Sequence, residues 1–334
     1  MDFARSETSF GAACGEGTIH ARLWIPDHPR LVLHVCHGMA EHMGRYDDLA
    51  SYLAPQGVLV CGIDLMGHGM GLDDGQTPGY FGAHHGWDCA MRDVLRLREI
   101  VAAKHPGLPT FLFGHSMGSF LARCLAAKQP AAFDAYLWAG TAGPSKALPL
   151  VVFLAWCARK FGDPRRPNFF LHSLSFGACN AAMKPTRTAF DWLTRDAAAV
   201  DAYRADPKCG FVFTSAGYHD MFRALSFLQG GRWARQVPDV PILIYSGDDD
   251  PVGRFGAGVK HVVARLVATH HRDVTFKLFP GGRHEMHNER NRAEVYAFVD
   301  NWLFATAAKI RTQEAGGRTG PAMDKPRNPE TDNA

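Results

Sequence analysis

A serine stands at the centre of the segment Gly114-His115-Ser116-Met117-Gly118, which has the pattern G-x-S-x-G. The segment follows the apolar run 110–113 and leads into the helix-like run 116–128. A strand that turns directly into a helix needs small residues around a serine held in a strained backbone conformation. A helix N-terminus also favours negative charge that develops beside it. We therefore predict that Ser116 is a nucleophile.

A serine hydroxyl is a poor nucleophile until a base takes its proton, and the base in turn needs an acid to orient it. Acidic residues follow the predicted strand 242–245, and histidines follow the next predicted strand, 274–279. Catalytic groups in open parallel sheets gather beyond the carboxyl ends of the strands. The candidates for the acid are Asp248, Asp249 and Asp250. The candidates for the base are His284 and, three residues later, His287.

A third loop can supply hydrogen-bond donors for an oxyanion. The predicted strand 31–36 ends in His37-Gly38-Met39, where the glycine allows backbone N–H groups to turn toward a site. Serine hydrolases of this kind take one N–H from such a loop and one from the residue after the nucleophile. We therefore predict Met39 and Met117 as the donors; a plain turn after a strand is the alternative interpretation of the first segment.

The sequence does not favour a metal site. His284-Glu285-Met286-His287 is H-E-x-H and lacks the H-E-x-x-H spacing of zinc helices. The eight cysteines include no C-x-x-C pair, and several lie in apolar runs that suit buried, reduced thiols. We therefore expect no metal and no cofactor.

Alternating strands and helices must position these residues. Apolar runs at 18–25, 31–36, 57–63, 110–113 and 133–139 are predicted strands, and helical patterns separate most of them. This alternation predicts a mostly parallel central sheet with flanking helices, the α/β class. The alternation resumes after 241 with two more strands and two helices, at 256–269 and 291–307. We assign 1–140 and 232–308 to one core, and expect a disordered C-terminal tail at 309–334.

The alternation breaks between 141 and 231, where aromatic residues are frequent. Such a segment is typical of an inserted, mostly helical and apolar lid. Aromatic side chains of the lid could cover an acyl chain, although some of them must only pack the lid on the sheet. The predicted acyl contacts are lid aromatics such as Phe153, Trp156, Phe170 and Phe222, and the same aromatic set includes Phe161, Phe169 and Phe176.

Composition excludes several classes of protein. Among the 334 residues, 46% are hydrophobic and 21% are charged, and a net charge of +3 is too small for a nucleic-acid-binding footprint. The longest nearly uncharged apolar run, 147–158, is shorter than the ~20 residues of a membrane span. The first ten residues contain no apolar signal core, so we expect a cytoplasmic protein. Nothing in the sequence indicates an oligomeric state.

An apolar segment with a basic flank could rest on an anionic bilayer. Residues 148–157 are apolar, and four basic residues follow them. The alternative is a lid helix buried against its own domain. The four basic residues are Arg159, Lys160, Arg165 and Arg166.

Together these segments resemble the monoacylglycerol lipase and lysophospholipase branch of the α/β-hydrolases, which is also described as serine aminopeptidase-like. The matching segments are HGMAEHMGRYDDLA (37–50), DLMGHGMG (64–71), FGHSMGSFLARCLA (113–126), FDWLTRDAAAVDAYRADPKCGF (190–211), IYSGDDDPVG (244–253) and GGRHEMHNE (281–289). The resemblance implies an α/β-hydrolase fold with an inserted helical lid. It implies Ser116 as nucleophile, Asp250 as acid and His284 as base, with Met39 and Met117 as oxyanion donors.

Three functions are compatible with this pattern. The first is hydrolysis of monoacyl lipid-like esters, such as monoacylglycerol or lysophospholipid, through an acyl-enzyme. The second is hydrolysis of small peptide amides, which requires an acidic anchor for a free amine. The third is a non-hydrolytic protein on the same fold, either a binding module, against which an intact Ser-His-Asp set argues, or an enzyme that transfers the acyl group to an alcohol. The acidic candidates for an anchor in the predicted lid are Asp191, Asp196, Asp201 and Asp206.

Overall fold

A computed structural model describes residues 2–317, and for residues 178 and 314–317 the backbone alone. Its centre is an eight-stranded sheet with the order β1-β2-β4-β3-β5-β6-β7-β8. β1 and β2 are antiparallel to their neighbours, and all the other pairs are parallel. The predicted, mostly parallel sheet is therefore confirmed. The strands are β1 (Phe3–Gly11), β2 (Thr18–Pro26), β3 (Leu31–Cys36), β4 (Val58–Asp64), β5 (Thr110–His115), β6 (Ala135–Ala139), β7 (Ile242–Gly247) and β8 (Val274–Phe279).

Helices cover both faces of the sheet. Along β5, Phe111 and Phe113 point into the core beneath the helices at 47–53 and 292–317, whereas Leu112 points into the core beneath the helices at 86–104 and 117–128. This alternation follows from the period of two in a strand and explains why both core-facing sides of β5 are apolar. The helices are α1 (Asp47–Leu53), α2 (Gly86–Lys104), α3 (Met117–Lys128), α4 (Leu148–Phe161), α5 (Phe169–Ala181), α6 (Ala197–Ala205), α7 (Ser215–Gln229), α8 (Arg232–Gln236), α9 (Ala257–Val267) and α10 (Arg292–Gly317).

The segment between β6 and β7 is helical, and we call residues 141–231 the insertion. Within it, α7 packs against α4 on one side and against α3 of the core on the other. Helices α4 and α5 lie farther out and expose an unusual amount of apolar surface. Their large exposed apolar side chains, together with that of Phe161 at the end of α4, are Leu150, Phe153, Trp156, Phe161, Phe169, Phe170 and Leu174.

The C-terminal helix is longer than the sequence predicts. α10 continues to Gly317, so residues 309–317 of the predicted disordered tail are helical. Ile310 is partly buried against the core beneath α10, and this contact supports the additional turns. The remainder of the predicted tail, 318–334, lies outside the described residues. Across residues 2–317, no helix combines the length and apolar character needed to cross a bilayer.

Candidate active site

Ser116 occupies a tight turn between β5 and α3. Its backbone has φ 52° and ψ −120°, a conformation that non-glycine residues rarely adopt, and its N–H donates to the carbonyl of Ala139 at 2.9 Å. A Cβ atom on Gly118 would lie 2.0 Å from the carbonyl oxygen of Cys36, and one on Gly114 would lie 2.3 Å from the carbonyl oxygen of Gly118. Both positions of the motif therefore require glycine because a side chain would clash with the backbone, and not because the chain needs flexibility there.

The structure distinguishes the three candidate acids. Asp250 is fully buried, and its Oδ1 and Oδ2 atoms lie 3.0 and 3.1 Å from Nδ1 of His284. The carboxylate also accepts from Ser246 Oγ at 2.8 Å and from the N–H of Val252 at 2.9 Å. Burial alone would raise the pKa of Asp250, but His284 and these hydrogen bonds lower it below its usual value. Asp250 is thus held as a carboxylate behind the imidazole.

The other two aspartates serve the loop itself. Asp248 accepts a hydrogen bond from the N–H of Gly281 at 2.6 Å, which joins the loops that follow β7 and β8. Asp249 is exposed, and its N–H donates to the carbonyl of Gly282 at 2.9 Å. Neither carboxylate contacts His284.

His284 presents its second nitrogen to the site. Its Nε2 atom is buried and has no hydrogen-bond partner within residues 2–317, while Nδ1 is occupied by Asp250. Burial would lower the pKa of His284, but the carboxylate of Asp250 outweighs burial and raises it above 6.5. His284 and Ser116 line the same cavity. The arrangement leaves one nitrogen of this cavity-lining histidine free to accept a proton.

His287, the alternative base, lies in a different environment. Its ring stacks on Tyr46 with 4.7 Å between centroids and meets the edge of His115 at the same distance. Burial lowers the pKa of His287 to about 3, so this side chain is neutral at physiological pH. It does not line the cavity that contains Ser116.

The loop after β3 holds Met39 in a defined orientation. The N–H of Leu65 donates to Nε2 of His37 at 3.0 Å, so the ring proton is on Nδ1, which donates to the carbonyl of Gly38 at 2.8 Å. That carbonyl belongs to the same planar peptide group as the N–H of Met39. Met117 is the first residue of α3, where an N–H has no partner inside the helix.

A buried ionic network supports the same loop. Oε1 of Glu41 accepts from the N–H of Gly38 and from the hydroxyl of Tyr46, the latter at 2.8 Å. Arg45 bridges Glu41 and Glu285, with nitrogen–oxygen distances of 2.6 Å to each carboxylate. Glu285 directly follows His284, so the network joins the loop of Met39 to the loop of the imidazole.

The insertion also contacts both loops. The N–H of Glu285 donates to the carbonyl of Leu193 at 2.7 Å, and the N–H of Gly210 donates to the carbonyl of Ala40 at 2.9 Å. The ring of Trp192 lies 5.1 Å from the ring of His284. The part of the insertion from 190 to 210 is therefore built into the walls of the site.

A cavity of about 230 Å³ opens beside Ser116. Its apolar walls come from Phe176, Phe190, Trp192, Leu193 and Phe211. Only Phe176 was among the lid aromatics that were considered from the sequence. Four of these five residues fall within the segment 190–211, one of the segments that carry the family resemblance. That resemblance was the signal in the sequence that could have identified them as lining residues.

The four predicted acyl-contacting residues do not line this cavity, and the predicted lining is corrected accordingly. Phe153 and Trp156 border a surface groove on α4 and α7, and Phe170 is exposed. Phe222 is buried but stacks on Tyr218, with 5.6 Å between the ring centroids, in the core. An apolar pattern with helical spacing identifies an apolar face of a helix. It does not identify the residues or the cavity that this face contacts.

One group of side chains has the donor types of a metal site. One potential ligand atom each from His42, Asp206 and Cys209 lie within 4.8 Å of one another. However, Nδ1 of His42 accepts from the N–H of Gly44, so the proton is on Nε2, which donates to Asp206 at 2.8 Å. Neither nitrogen then offers a lone pair to a cation. The contacts are those of a hydrogen-bonded link between the insertion and the loop after β3.

The sheet order, the strained serine between β5 and α3, and the Asp–His pair beyond β7 and β8 define an α/β-hydrolase. The family described as serine aminopeptidase, S33, matches residues 27–291, and the chain belongs to this family.

Several relatives align over most of both chains. The chain is 30% identical to a monoacylglycerol lipase of Mycolicibacterium smegmatis, covering 90% of this chain and 97% of that protein. It is 28% identical to the monoglyceride lipase of Homo sapiens, covering 91% and 90%. The crystal structure of a thermostable carboxyl esterase from Bacillus coagulans in complex with glycerol superposes with a TM-score of 0.86 at 30% identity, covering 91% and 99%.

Proposed function

We propose that this chain is a serine carboxylic ester hydrolase that acts on monoacyl lipid-like esters, such as monoacylglycerols or lysophospholipids. The observation that carries the proposal is a single cavity that contains both Ser116 and His284, with the carboxylate of Asp250 buried behind the imidazole. Similarity to monoacylglycerol lipases over most of the chain supports the same class of substrate.

In the proposed mechanism, Ser116 Oγ attacks the ester carbonyl while Nε2 of His284 takes its proton. The N–H groups of Met39 and Met117 donate to the oxyanion of the tetrahedral intermediate. His284 then gives the proton to the departing alcohol, which leaves an acyl-enzyme. Water then attacks the acyl group while the same nitrogen takes its proton. When this second tetrahedral intermediate collapses, His284 returns the proton to Ser116 Oγ, and the fatty acid is released. Asp250 keeps the imidazole in the tautomer that this sequence needs.

The walls of the cavity favour an acyl chain over a polar substrate. Phe176 stacks on Trp192 with 5.6 Å between ring centroids, and Phe190 packs against Tyr203 at 5.1 Å. Each methylene group of an acyl chain that moves from water into contact with such walls stabilises the bound state by about 0.8 kcal/mol. A narrow apolar space also admits one acyl chain more readily than three.

The charges in the cavity disfavour the aminopeptidase alternative. A free α-amine needs an unpaired carboxylate, and the carboxylates that line the cavity in the described chain, Glu41 and Glu285, are both paired with Arg45. The four acidic residues of the insertion considered above lie outside the cavity, where they cap or form ion pairs. Acyl transfer to an alcohol would use the same groups, and only the acceptor would differ.

The test is kcat/KM for monoacyl esters from acetate to palmitate, together with a matched triacylglycerol and aminoacyl amides. We expect kcat/KM to rise with chain length until the cavity is filled, and the triacylglycerol to be a poor substrate. A flat or falling profile from acetate upward would contradict an acyl site. Faster cleavage of aminoacyl amides than of any ester would establish the peptidase instead. Adding glycerol and analysing the products separates hydrolysis from acyl transfer.

We further propose transient contact of the insertion with a membrane surface, where such substrates dissolve. Phe161, the last residue of α4, and Phe169, the first residue of α5, are 77% and 69% exposed. Of the four basic residues that follow the apolar run, Arg159 pairs with Asp220 and Arg165 pairs with Glu16, so Lys160 and Arg166 are left without an ion-pair partner in residues 2–317. An exposed apolar surface with basic neighbours suits an anionic bilayer.

Co-sedimentation with vesicles of phosphatidylglycerol and phosphatidylcholine tests this contact. We expect salt-sensitive binding that a Phe161→Ser, Phe169→Ser double variant weakens. Val267→Ser, which changes an apolar residue on α9 that is 58% exposed, should leave binding unchanged. Absence of binding to anionic vesicles at low salt would refute the membrane contact, and the ester hydrolase proposal would be unaffected.

A further inference from the structure

Ala40, which follows Met39, is held in an unfavourable backbone conformation by the insertion. Its φ is 53°, in the left-handed region that side chains disfavour. Its carbonyl oxygen accepts two hydrogen bonds, from the hydroxyl of Tyr203 at 3.0 Å and from the N–H of Gly210 at 2.9 Å. A strained residue persists only where its surroundings determine its conformation, and here both donors come from the insertion.

Met39 is thereby fixed from both sides. Before it, Gly38 is bound through its N–H to Glu41 and through its carbonyl to His37. After it, Ala40 is bound to Tyr203 and Gly210. The N–H of Met39 itself has no acceptor in the described part of the chain. Its direction therefore depends on the contacts of its two neighbours.

Tyr203 is itself rigidly placed. It is 6% exposed, and the guanidinium of Arg45 lies 4.7 Å from the centre of its ring. Phe190 packs on the same ring. The link between Asp206 and His42, at 2.8 Å, holds the two segments together beside it. The position of the Tyr203 hydroxyl is therefore set before any substrate enters.

We propose that Tyr203 is a positioning residue for the oxyanion donor: its hydroxyl holds the Ala40 carbonyl and so keeps the Met39 N–H directed into the site. This inference rests on the proposed function, because it concerns the oxyanion of that reaction. On this proposal, the insertion covers the site and also sets the orientation of the Met39 N–H. Tyr203 acts through Ala40, and its effect belongs to the transition state rather than to substrate binding.

The test is Tyr203→Phe, which removes the hydroxyl and keeps the ring beside Arg45. We expect kcat for 4-nitrophenyl butyrate to fall about fivefold to tenfold, the effect of one buried hydrogen bond, with KM changed less than twofold. The affinity for an alkyl trifluoromethyl ketone, which forms a hemiketal oxyanion with the serine, should fall in parallel with kcat/KM. Tyr136→Phe is the matched control, because the Tyr136 hydroxyl is buried without a hydrogen-bond partner in the described residues.

A rise in KM at unchanged kcat would overturn the proposal, because it would make Tyr203 a substrate contact. Unchanged kcat and unchanged ketone affinity would overturn it as well. Asp206→Ala, which removes the acceptor for His42 at a partly exposed site, provides a second variant should Tyr203→Phe fold poorly. This variant should lower kcat and the affinity for the ketone together, by about twofold to threefold. If neither quantity changed, the result would contradict the proposed positioning role of Tyr203. If the wild-type protein neither cleaves esters nor reacts with the ketone, the proposed function itself has failed.

Discussion

The guanidinium of Arg45 lies 2.6 Å from a carboxylate oxygen of Glu285, and this contact ties the loop after β3 to the loop after β8. The first loop carries Met39 and the second carries His284. Glu285 is buried and Arg45 is largely buried, with side chains 3% and 11% exposed. The distance between the proposed oxyanion donor and the proposed base is thus fixed by an ion pair rather than by the sheet alone.

Removal of one partner from this pair should destabilise the fold. Arg45→Met would leave Glu41 and Glu285 buried without their cation, which typically costs about 3–5 kcal/mol of unfolding free energy. Arg96→Met removes an exposed pair with Glu99 and should cost less than about 0.5 kcal/mol. Urea denaturation of both variants measures the difference, and equal midpoints would show that the network contributes no stability.

Acid should weaken the same network. Burial would raise the pKa of Glu285, but Arg45 lowers it well below its usual value of 4.5. A carboxyl group with a depressed pKa contributes stability above its unfolded pKa, and that contribution is lost as pH falls toward the folded value. Wild type should therefore lose unfolding free energy below about pH 4.5 more steeply than Glu285→Gln. Parallel curves for the two proteins between pH 5 and pH 3 would contradict this assignment.

Replacement of the serine should abolish turnover. Because Ser116, His284 and Asp250 are proposed to act as a unit, Ser116→Ala should reduce kcat by about 10⁴-fold or more. A fluorophosphonate should label wild type at Ser116 and leave the variant unlabelled. Ser226→Ala, which changes an exposed serine on α7 outside the cavity of Ser116, is the matched control and should keep both turnover and labelling. Normal turnover by Ser116→Ala would falsify the assignment.

The aspartates after β7 should differ sharply in their effect. Asp250→Asn should reduce kcat by several orders of magnitude, since the amide no longer favours the required imidazole tautomer. Asp248→Asn should have a mild effect, because Asp248 contacts the N–H of Gly281 and not the imidazole. Steady-state kinetics of the two variants decides the matter, and the reverse order would show that the acid has been misassigned.

The pH profile should report the neutral form of His284. The imidazole accepts a proton only when uncharged, so kcat/KM should rise with pH through an apparent pKa above 6.5, the direction that Asp250 imposes. His287→Gln should leave this midpoint in place, because burial holds the pKa of His287 at about 3. A midpoint below 6.5 in wild type, or one that moves with His287, would assign the titration to another group.

The local motif at Ser116 was predictable because its requirements are steric and lie within five residues. The choice of Asp250 over Asp248 and Asp249 came from the family resemblance, because the residue types alone do not distinguish three adjacent carboxylates that differ only in the direction of the loop. Strand β1 was missed for a related reason. It is an exposed edge strand, so its sequence, FARSETSFG, lacks the apolar run by which a buried strand is found.

Long-range contacts explain the other differences. The aromatic residues of α4 form an apolar pattern, yet the cavity is walled by side chains from 176 to 211 that the chain brings in from elsewhere. Likewise, α10 extends beyond its predicted end because Ile310 packs against the core. In both cases the sequence identifies apolar side chains, and only the tertiary fold decides what they touch.

The hydrogen bonds from the insertion to the loops after β3 and β8 restrict how substrate specificity can change in proteins with this fold. Segments near 190–210 cannot be exchanged between relatives as an interchangeable module, because their backbone anchors Glu285 and Ala40. The outer helices α4 and α5 make no such anchoring bonds among the described residues and can diverge in sequence at little cost to the chemistry. Recombination that changes the substrate but keeps the rate should therefore have its crossovers within about 144–186, inside the insertion rather than at the ends of the sheet.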